Sequence, residues 1–251
     1  MLRKRILSTV VLRSGRAVQS FGFNRWLPLG DVKCLVQNLD QWNSDGIVIL
    51  DTDRHEKGPN LVLLETLSEE NLKTPLTYGG GISSAEDARL AVKAGAERLI
   101  LDRVLSSNPQ ELSNIAATVG KQALIASVPI VEHEGSILHY QHWDKKLTPL
   151  NKWLKDSIWQ SYTSEILAID VLSEGSCHGP NKNLFQLLGT IDLPLLILGG
   201  VSTACQIENL LVETNISAVV IGNALNYKEN SIAMLKNDLK SLPIRPNSVL
   251  S

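Results

Sequence analysis

Pro75-Leu-Thr-Tyr-Gly-Gly-Gly-Ile-Ser-Ser-Ala85 recurs in this chain as Pro194-Leu-Leu-Ile-Leu-Gly-Gly-Val-Ser-Thr-Ala204, with six of eleven positions identical at a shift of 119. The similarity continues from residues 95–103 to residues 215–223 at a shift of 120. Each copy contains an apolar strand, a pair of glycines and the start of a helix. The repeat therefore predicts that strands three and four of the fold recur as strands seven and eight, in two half-barrels of four units each.

Short apolar runs alternate with stretches of helical period along the whole chain. This alternation is typical of repeated βα units around a parallel sheet. Eight strands are predicted, near residues 5–12, 46–51, 75–79, 97–101, 122–128, 165–170, 194–198 and 217–221. The sequence thus predicts an α/β fold, a single (β/α)8 TIM barrel domain over residues 1–251, with half-repeats at about 1–120 and 121–242 and a tail at 243–251.

Two interruptions of this pattern are longer than ordinary loops. They comprise residues 13–30 after the first strand and residues 129–149 after the fifth. Both are predicted to be hairpins or lids over one face, and Gly135 in the second has the surroundings of a turn between two strands. Because active sites of such barrels lie at the C-terminal ends of the strands, both insertions are expected to border the site.

Length and composition exclude several classes of protein. The chain has 251 residues, 43% hydrophobic and 20% charged, with a formal net charge of −2. No broad basic field exists for nucleic acid or a membrane surface, so the expected partner is a small molecule or another protein. The absence of a signal peptide and of about 18 consecutive apolar residues predicts a cytoplasmic protein. Cys34, Cys177 and Cys205 are predicted to be reduced thiols, and no metal or cofactor is predicted.

The paired glycines carry the first functional prediction. Gly80-Gly81 and Gly199-Gly200 each follow an apolar strand and precede a helix. Glycines there allow a ligand close to the backbone, and the following helix would offer free N–H groups to a phosphate. Two such sites would hold a molecule with a phosphate at each end. The alternative is that the glycines only make tight turns. In either case Ser83 or Ser84 is predicted to cap the following helix and Gly95 to end it.

Further stretches carry a family resemblance. They are Met1-Leu-Arg-Lys-Arg-Ile6, Gly79-Gly-Gly-Ile82, Ile47-Val-Ile-Leu-Asp51, Gly95-Ala-Glu97, Ser164-Glu-Ile-Leu167, and Glu174-Gly175 with Gly179. From Leu2 to about residue 242 the chain resembles the cyclase subunit of imidazole glycerol phosphate synthase, a barrel family of histidine biosynthesis. The resemblance implies a heterodimer with a glutaminase on the N-terminal face, ammonia passing through the barrel, and a phosphorylated small molecule at the other end.

The chain departs from this family at the catalytic positions. The two family aspartates that act as general acid and base correspond to Val11 and Pro129, neither of which transfers a proton. The family lysine after strand one corresponds to Gln19. The phosphate-binding positions that the resemblance implies are Gly79, Gly80, Gly81, Asp102, Arg103, Gly175, Gly199, Gly200, Gly222 and Asn223. Asp102 would repel a phosphate unless Arg103 offsets its charge.

The opposite end of the barrel is closer to the family. Arg5, Arg98 and Glu165 correspond to three of the four charged residues that form a gate there, and Gly46 replaces the fourth. Glu97 corresponds to an acidic position at which the glutaminase contacts the barrel. The alternative is that these are ordinary solvated or paired side chains near strand starts. The contrast between the two ends favours a docking barrel with altered chemistry.

One branch of the family has an apolar residue at the strand-one aspartate. It comprises cyclase-like barrels of surface-polysaccharide gene sets, and Val10-Val-Leu12 and Leu76-Thr-Tyr-Gly-Gly-Gly81 are similar to it. These barrels are implied to work with a glutaminase and a separate sugar amidotransferase to amidate a nucleotide-linked sugar. The leading hypothesis is therefore such an ammonia-conducting subunit. The alternatives are a divergent imidazole glycerol phosphate synthase cyclase and a non-catalytic phosphate-binding scaffold.

If proton transfer survives elsewhere, the candidates are residues at or just beyond the C-terminal strand ends. These are Asp51, Asp53, His55 and Asp170. A relocated acid or base is the only way in which such a chain would retain cyclisation chemistry.

Other polar and aromatic candidates lie around the second insertion. His139 and His142 form no recognised metal spacing and are predicted to be surface residues of the hairpin. Trp143, Trp153 and Trp159 are predicted either to pack in the core or to form a partner surface.

Overall fold

The computed structural model describes residues 3–54, 56–155, 158–239 and 242–247. In these residues the strands are β1 (Arg5–Arg13), β2 (Arg16–Phe21), β3 (Arg25–Gly30), β4 (Ile47–Asp51), β5 (Leu76–Gly79), β6 (Arg98–Leu101), β7 (Leu124–His133), β8 (Ser136–Gln141), β9 (Lys146–Pro149), β10 (Glu165–Asp170), β11 (Leu195–Leu198) and β12 (Ile216–Ile221). Parallel pairing runs in the order β10, β11, β12, β1, β4, β5, β6, β7, and β7 pairs with β10 to close the ring. The predicted eight-stranded barrel is confirmed.

Helices separate the barrel strands, as the alternating pattern predicts. They are α1 (Val32–Gln41), α2 (Leu61–Ser68), α3 (Ala85–Lys93), α4 (Arg103–Ser107), α5 (Pro109–Val119), α6 (Leu150–Lys155), α7 (Asn183–Gln186), α8 (Ala204–Leu211) and α9 (Ser231–Asp238). Short 3-10 turns occupy Lys121–Ala123, Trp159–Ser161, Leu188–Thr190 and Asn223–Tyr227. Two of the connections do not consist of a single regular helix. The connection after β6 contains two helices, α4 and α5, and the connection after β10 contains only the four-residue α7 and a 3-10 turn.

Apolar side chains on both faces of the strands build two cores. Leu7 and Leu50 belong to a cluster inside the barrel, which we call the interior cluster. Ile6 and Ile49 belong to a second cluster between the strands and the helices. Neighbouring residues fall into different clusters because successive side chains of a strand point to opposite faces. Since both faces are covered, every residue of β4 is buried.

Both predicted insertions are antiparallel hairpins. β2 pairs with β1 and β3, while β8 pairs with β7 and β9. The strand predicted at 122–128 extends to His133 because its second half pairs with β8, and Glu134 and Gly135 turn with φ of 49° and 73°. Phe23 from the first hairpin and Leu138 and Tyr140 from the second pack against the interior cluster. The hairpins therefore cover the C-terminal end of the barrel with apolar side chains.

The helix after the first glycine motif has the predicted boundaries. Ser84 accepts a hydrogen bond from the Asp87 N–H and begins α3, and Gly95, with φ of 116°, follows its end. In the second half Thr203 and Gln206 form a capping box at the start of α8. The local sequence alone therefore determines where these two helices begin.

Candidate functional site

The N-terminal end of the barrel holds a triad of charges. Glu165 accepts hydrogen bonds from both Arg5 and Arg98, one on each carboxylate oxygen. Arg5 also donates to Ser217 Oγ at 3.1 Å and Arg98 to Ser164 Oγ at 2.9 Å. The three charged side chains are only 12 to 22% exposed. The structure thus brings together the three residues that the sequence predicted to meet there, and one carboxylate bridges two guanidinium groups.

The neighbouring predicted positions lie nearby but contribute no further charge to the triad. Gly46 precedes β4, and a side chain there would meet Leu7 of the interior cluster at 3.0 Å. Apolar packing therefore occupies the space beside Gly46. Glu97, just before β6, is exposed.

The C-terminal interior is apolar at the two positions where the family resemblance implies carboxylates. Val11 is 5% exposed and lies on the same face of β1 as Leu7, since the two are four residues apart on one strand. Pro129 is buried in β7 opposite Ile169 of β10. A small cavity touches Val11, Glu174 and Gly222. Neither Val11 nor Pro129 offers a proton-transfer group to a ligand at this end.

The two glycine motifs pack in the same way at a shift of 119. A side chain on Gly80 would overlap Asp51, and one on Gly199 would overlap Asp170. Gly81, with φ of 70°, lies against the backbone of the loop after β4, as Gly200, with φ of 63°, lies against the loop after β10. In both halves the glycines admit the preceding loop. The tight-turn interpretation therefore accounts for the glycines of both motifs without any ligand.

The N–H groups expected to be free at these turns are partly occupied. The Ser83 N–H donates to Asp87 at 3.0 Å, and the Ala85 N–H donates to Glu111 at 2.6 Å. In the other half the Ser202 N–H donates to Gln206 at 2.8 Å. Acidic and amide side chains already accept the hydrogen bonds of these three N–H groups, and phosphate binding at the helix starts stays a prediction.

The predicted acid–base candidates hold loops in place. Asp170 accepts from the Ser173 and Asn181 N–H groups at 3.2 and 2.9 Å. Asp51 is 4% exposed and contacts the Tyr78 hydroxyl at 3.4 Å, and both Asp51 and Tyr78 lie on the helix side of the barrel wall. Asp51 and Asp170 thus lie on the helix side of their strands, facing away from the barrel interior. His55 lies outside the described residues.

The charge state of Asp51 depends on its burial. Burial, followed by the neighbouring charge of Asp53, raises the pKa of Asp51 to about 6, although Arg54 opposes this. Asp53 itself is more exposed and accepts from the Ser14 N–H at 3.2 Å with both oxygens. Proton transfer by these aspartates stays a prediction, and Asp53 is the most accessible of the three.

A contact that the sequence did not predict forms at the rim of the C-terminal end. Asp102 Oδ2 lies 3.2 Å from His142 Nδ1, so the second hairpin is joined to the end of β6. Arg103, the next residue, is exposed and makes no hydrogen bond or ion pair among the described residues. Asp102 thus has a basic partner, and this partner is His142 of the second hairpin, not the neighbouring Arg103.

The first hairpin is fastened to the loop after β10. Glu174 is 6% exposed, and it accepts from Ser20 Oγ at 2.8 Å and from the Phe23 N–H at 3.2 Å. Asn223 donates to the Ser20 carbonyl at 2.7 Å, beside Gly175. Burial raises the pKa of Glu174, while these hydrogen bonds oppose the rise. The predicted phosphate-binding residues Gly175 and Asn223 therefore also position the hairpin.

The prediction that His139 is a surface residue is wrong. Its side chain is 1% exposed and stacks on Trp153 with ring centroids 3.9 Å apart, and Trp153 in turn packs on Trp159. Burial lowers the pKa of His139 to about 4. Trp153 and Trp159 are core residues, whereas Trp143 is half-buried and lies edge-on to His142.

Comparison with known proteins places this geometry in a family. A family model described as histidine biosynthesis protein matches residues 5–231. The chain belongs to this family. The imidazole glycerol phosphate synthase subunit hisF2 of Vibrio vulnificus, so named provisionally, is 28% identical over 96% of this chain and 90% of its own length. The imidazole glycerol phosphate synthase subunit HisF of Flavobacterium psychrophilum is 26% identical over 98% and 99%, and that of Natranaerobius thermophilus 25% identical over 95% and 96%.

This member of the histidine biosynthesis family has the barrel of a cyclase-type subunit with a charged N-terminal end and an apolar C-terminal interior. Within residues 3–54, 56–155, 158–239 and 242–247, no cluster of three or more histidine, cysteine or acidic side chains could hold a metal ion. No helix in that part of the chain is long and apolar enough to cross a membrane.

Sequence reasoning missed His142 and Glu174 as site residues. His142 was hidden because its partner Asp102 is distant along the chain and meets it only through the fold of the second hairpin. Glu174 had a signal, since it belongs to one of the stretches that carry the family resemblance, but its contact with the first hairpin was not predictable from that stretch.

Proposed function

We propose that this chain is the barrel subunit of a glutamine-dependent amidotransferase. It binds a glutaminase at the N-terminal end, conducts ammonia along the barrel axis, and supports amidation of a nucleotide-linked surface sugar. The observation that carries this proposal is the pairing of Arg5 and Arg98 with Glu165 at one end, together with buried Val11 and Pro129 at the other. The first arrangement suits docking and gating, and the second does not suit cyclisation.

The barrel interior suits ammonia better than ammonium. Its lining is the aliphatic interior cluster, which includes Val48, Ile125 and Leu196. A neutral molecule loses little on entering such surroundings, whereas an ion loses its hydration. The two guanidinium groups beside Glu165 give the entrance a net positive charge, which adds to the discrimination against ammonium. Glu97 is exposed beside this entrance and is available to a docked partner.

The C-terminal rim is the proposed site for a phosphorylated ligand. The proposed contacts are Gly79, Gly80, Gly81, Asp102 and Arg103 in one half, and Gly175, Gly199, Gly200, Gly222 and Asn223 in the other. Support comes from the position of both sets at C-terminal strand ends and from the unpaired guanidinium of Arg103. A separate sugar amidotransferase would use the ammonia that leaves here.

The second candidate is a divergent imidazole glycerol phosphate synthase cyclase. The names of the relatives favour it. Its weakness is that residues 11 and 129 would need substitutes for proton transfer, and Asp170 already accepts hydrogen bonds from the loop after its strand.

The test mixes the purified chain with a candidate glutaminase subunit from the same organism and measures glutamine hydrolysis. The proposal expects co-purification and a rise in hydrolysis on mixing, reduced by Glu165→Gln but not by Glu86→Gln, which alters an exposed pair on α3. No stimulation would favour a scaffold. Growth of a histidine-requiring strain supplied with this chain in place of its own cyclase subunit would instead support the second candidate and contradict the first.

A further inference from the structure

Asp102 and His142 form an ion pair at the rim of the barrel. Because of this contact, Asp102 does not cap the helix that it precedes in the ordinary way. Asp102 precedes α4 as its N-cap residue, yet its carboxylate makes no capping hydrogen bond and lies 3.2 Å from His142 Nδ1. Asp102 directly follows β6, so it lies where that strand ends at the C-terminal end of the barrel. Aspartate at an N-cap commonly accepts from the first helical N–H groups, so here the hairpin contact replaces the local one.

The groups that face His142 come from two elements. Asp102 faces it from the end of β6, while Asp144 and His139 belong to its own hairpin. Burial acts to lower the pKa of His142, but the hydrogen bond and charge of Asp102, followed by the charge of Asp144, outweigh it and raise the pKa. The side chain is 40% exposed, so it is accessible to a ligand at the rim.

The charge at this rim depends on one proton. With His142 protonated, Asp102, His142 and Arg103 together carry one net positive charge; with His142 neutral they carry none. A bare Asp102 would repel an oxyanion, and Arg103 alone would only cancel that charge. Protonated His142 pairs with the Asp102 carboxylate, and the rim then carries a net positive charge that attracts an oxyanion.

We propose that His142 is the residue that admits an oxyanion of the phosphate class beside Asp102 and Arg103, and that binding there requires its protonated imidazole. This inference rests on the proposed phosphate-binding role of the rim. It adds a specificity-determining residue from the second hairpin and a dependence on pH that neither the glycines nor Arg103 would produce.

The test uses inorganic sulfate, a tetrahedral oxyanion whose charge is constant from about pH 5.5 to about pH 8.5. Amide chemical shifts of Gly81 and Arg103 report binding at this rim, and those of Gly200 and Gly222 report the other half as an internal reference. At constant ionic strength the wild-type affinity at the rim should fall about tenfold as pH rises through the His142 pKa. The reference amides should show no such dependence.

A double-substitution cycle distinguishes charge from contact. His142→Gln leaves Asp102 uncovered and should bind weakly at every pH, whereas Asp102→Asn should bind more tightly than wild type at about pH 8.5. Combining both substitutions leaves only the charge of Arg103, so affinity should return to the low-pH wild-type level and lose its pH dependence. His133→Gln, at an exposed histidine beside the turn of the second hairpin, is the matched control.

The possible results of these experiments separate the role of His142 from the proposed phosphate binding at the rim. A response at Gly200 and Gly222 without one at Gly81 and Arg103 would overturn the inference while leaving phosphate binding by the second half intact. Silence at all four amides would overturn both. Binding at the rim that ignores pH, or a double variant that fails to recover, would remove His142 from the site. Far-UV circular dichroism of every variant verifies that a lost response is not a lost fold.

Discussion

The two ends of the barrel avoid unpaired buried charge in different ways. At the N-terminal end Arg5, Glu165 and Arg98 are nearly buried and satisfy one another, so a charged group is acceptable there. At the C-terminal end Val11 and Pro129 remove the need for a partner by carrying no charge. Because buried polar groups are costly only when unpaired, the same fold tolerates both solutions. The barrel can therefore carry an apolar interior at one end and paired charges at the other.

Placing a carboxylate back at the C-terminal end should have the largest effect. Val11→Asp removes a buried apolar side chain and adds a charge beside the cavity that Glu174 also lines. We expect a loss of about 3 to 4 kcal/mol in the free energy of unfolding at pH 7, measured by urea denaturation. The loss should be smaller at pH 5, because burial raises the pKa of the new carboxyl and protonation relieves it.

Val11→Thr is the control for polarity without charge, and we expect it to lower the free energy of unfolding by about 1 kcal/mol. Equal losses for the two variants at pH 7 would mean that the C-terminal interior is accessible to water, and the contrast between the ends would then disappear.

Removing the central charge at the N-terminal end should have an intermediate effect. Glu165→Gln keeps the shape of the side chain but leaves two guanidinium groups facing each other. We expect about 2 kcal/mol of destabilisation, below the value for a fully buried pair because these side chains retain some exposure. Urea denaturation at two salt concentrations measures it, and salt should reduce the loss by screening the repulsion.

The exposed pair Glu86–Arg89 on α3 supplies the matched comparison. Glu86→Gln should change the free energy of unfolding by no more than about 0.5 kcal/mol. A similar small value for Glu165→Gln would show that the triad is ordinary surface charge, as the alternative interpretation of the sequence holds.

The sequence predicted most of the frame and less of the site. Strand positions and the Ser84 cap are local properties, readable from alternation and from capping residues. The occupied N–H group of Thr203 was also readable, since Thr203 and Gln206 have capping-box spacing. The Asp102–His142 contact was not, because it depends on how the second hairpin docks. The same docking buries His139, whose polar side chain had suggested a surface position.

The last prediction concerns that hairpin, where the effect appears only at acidic pH and differs in sign between the two histidines. The pKa of His139 is about 4 in the folded chain and about 6.5 when unfolded, so the unfolded chain binds more protons between these values. Stability is therefore full above about pH 6.5 and falls as pH decreases towards 4, by roughly 1 to 2 kcal/mol at pH 5. His139→Phe keeps an aromatic ring against Trp153 and should abolish this component of the pH dependence in urea denaturation. His142 has the opposite sign, because its raised pKa stabilises the fold at low pH and that contribution is lost as pH rises through the folded pKa. His142→Gln should thus steepen the acid-induced loss, and a shallower one would contradict its pairing with Asp102.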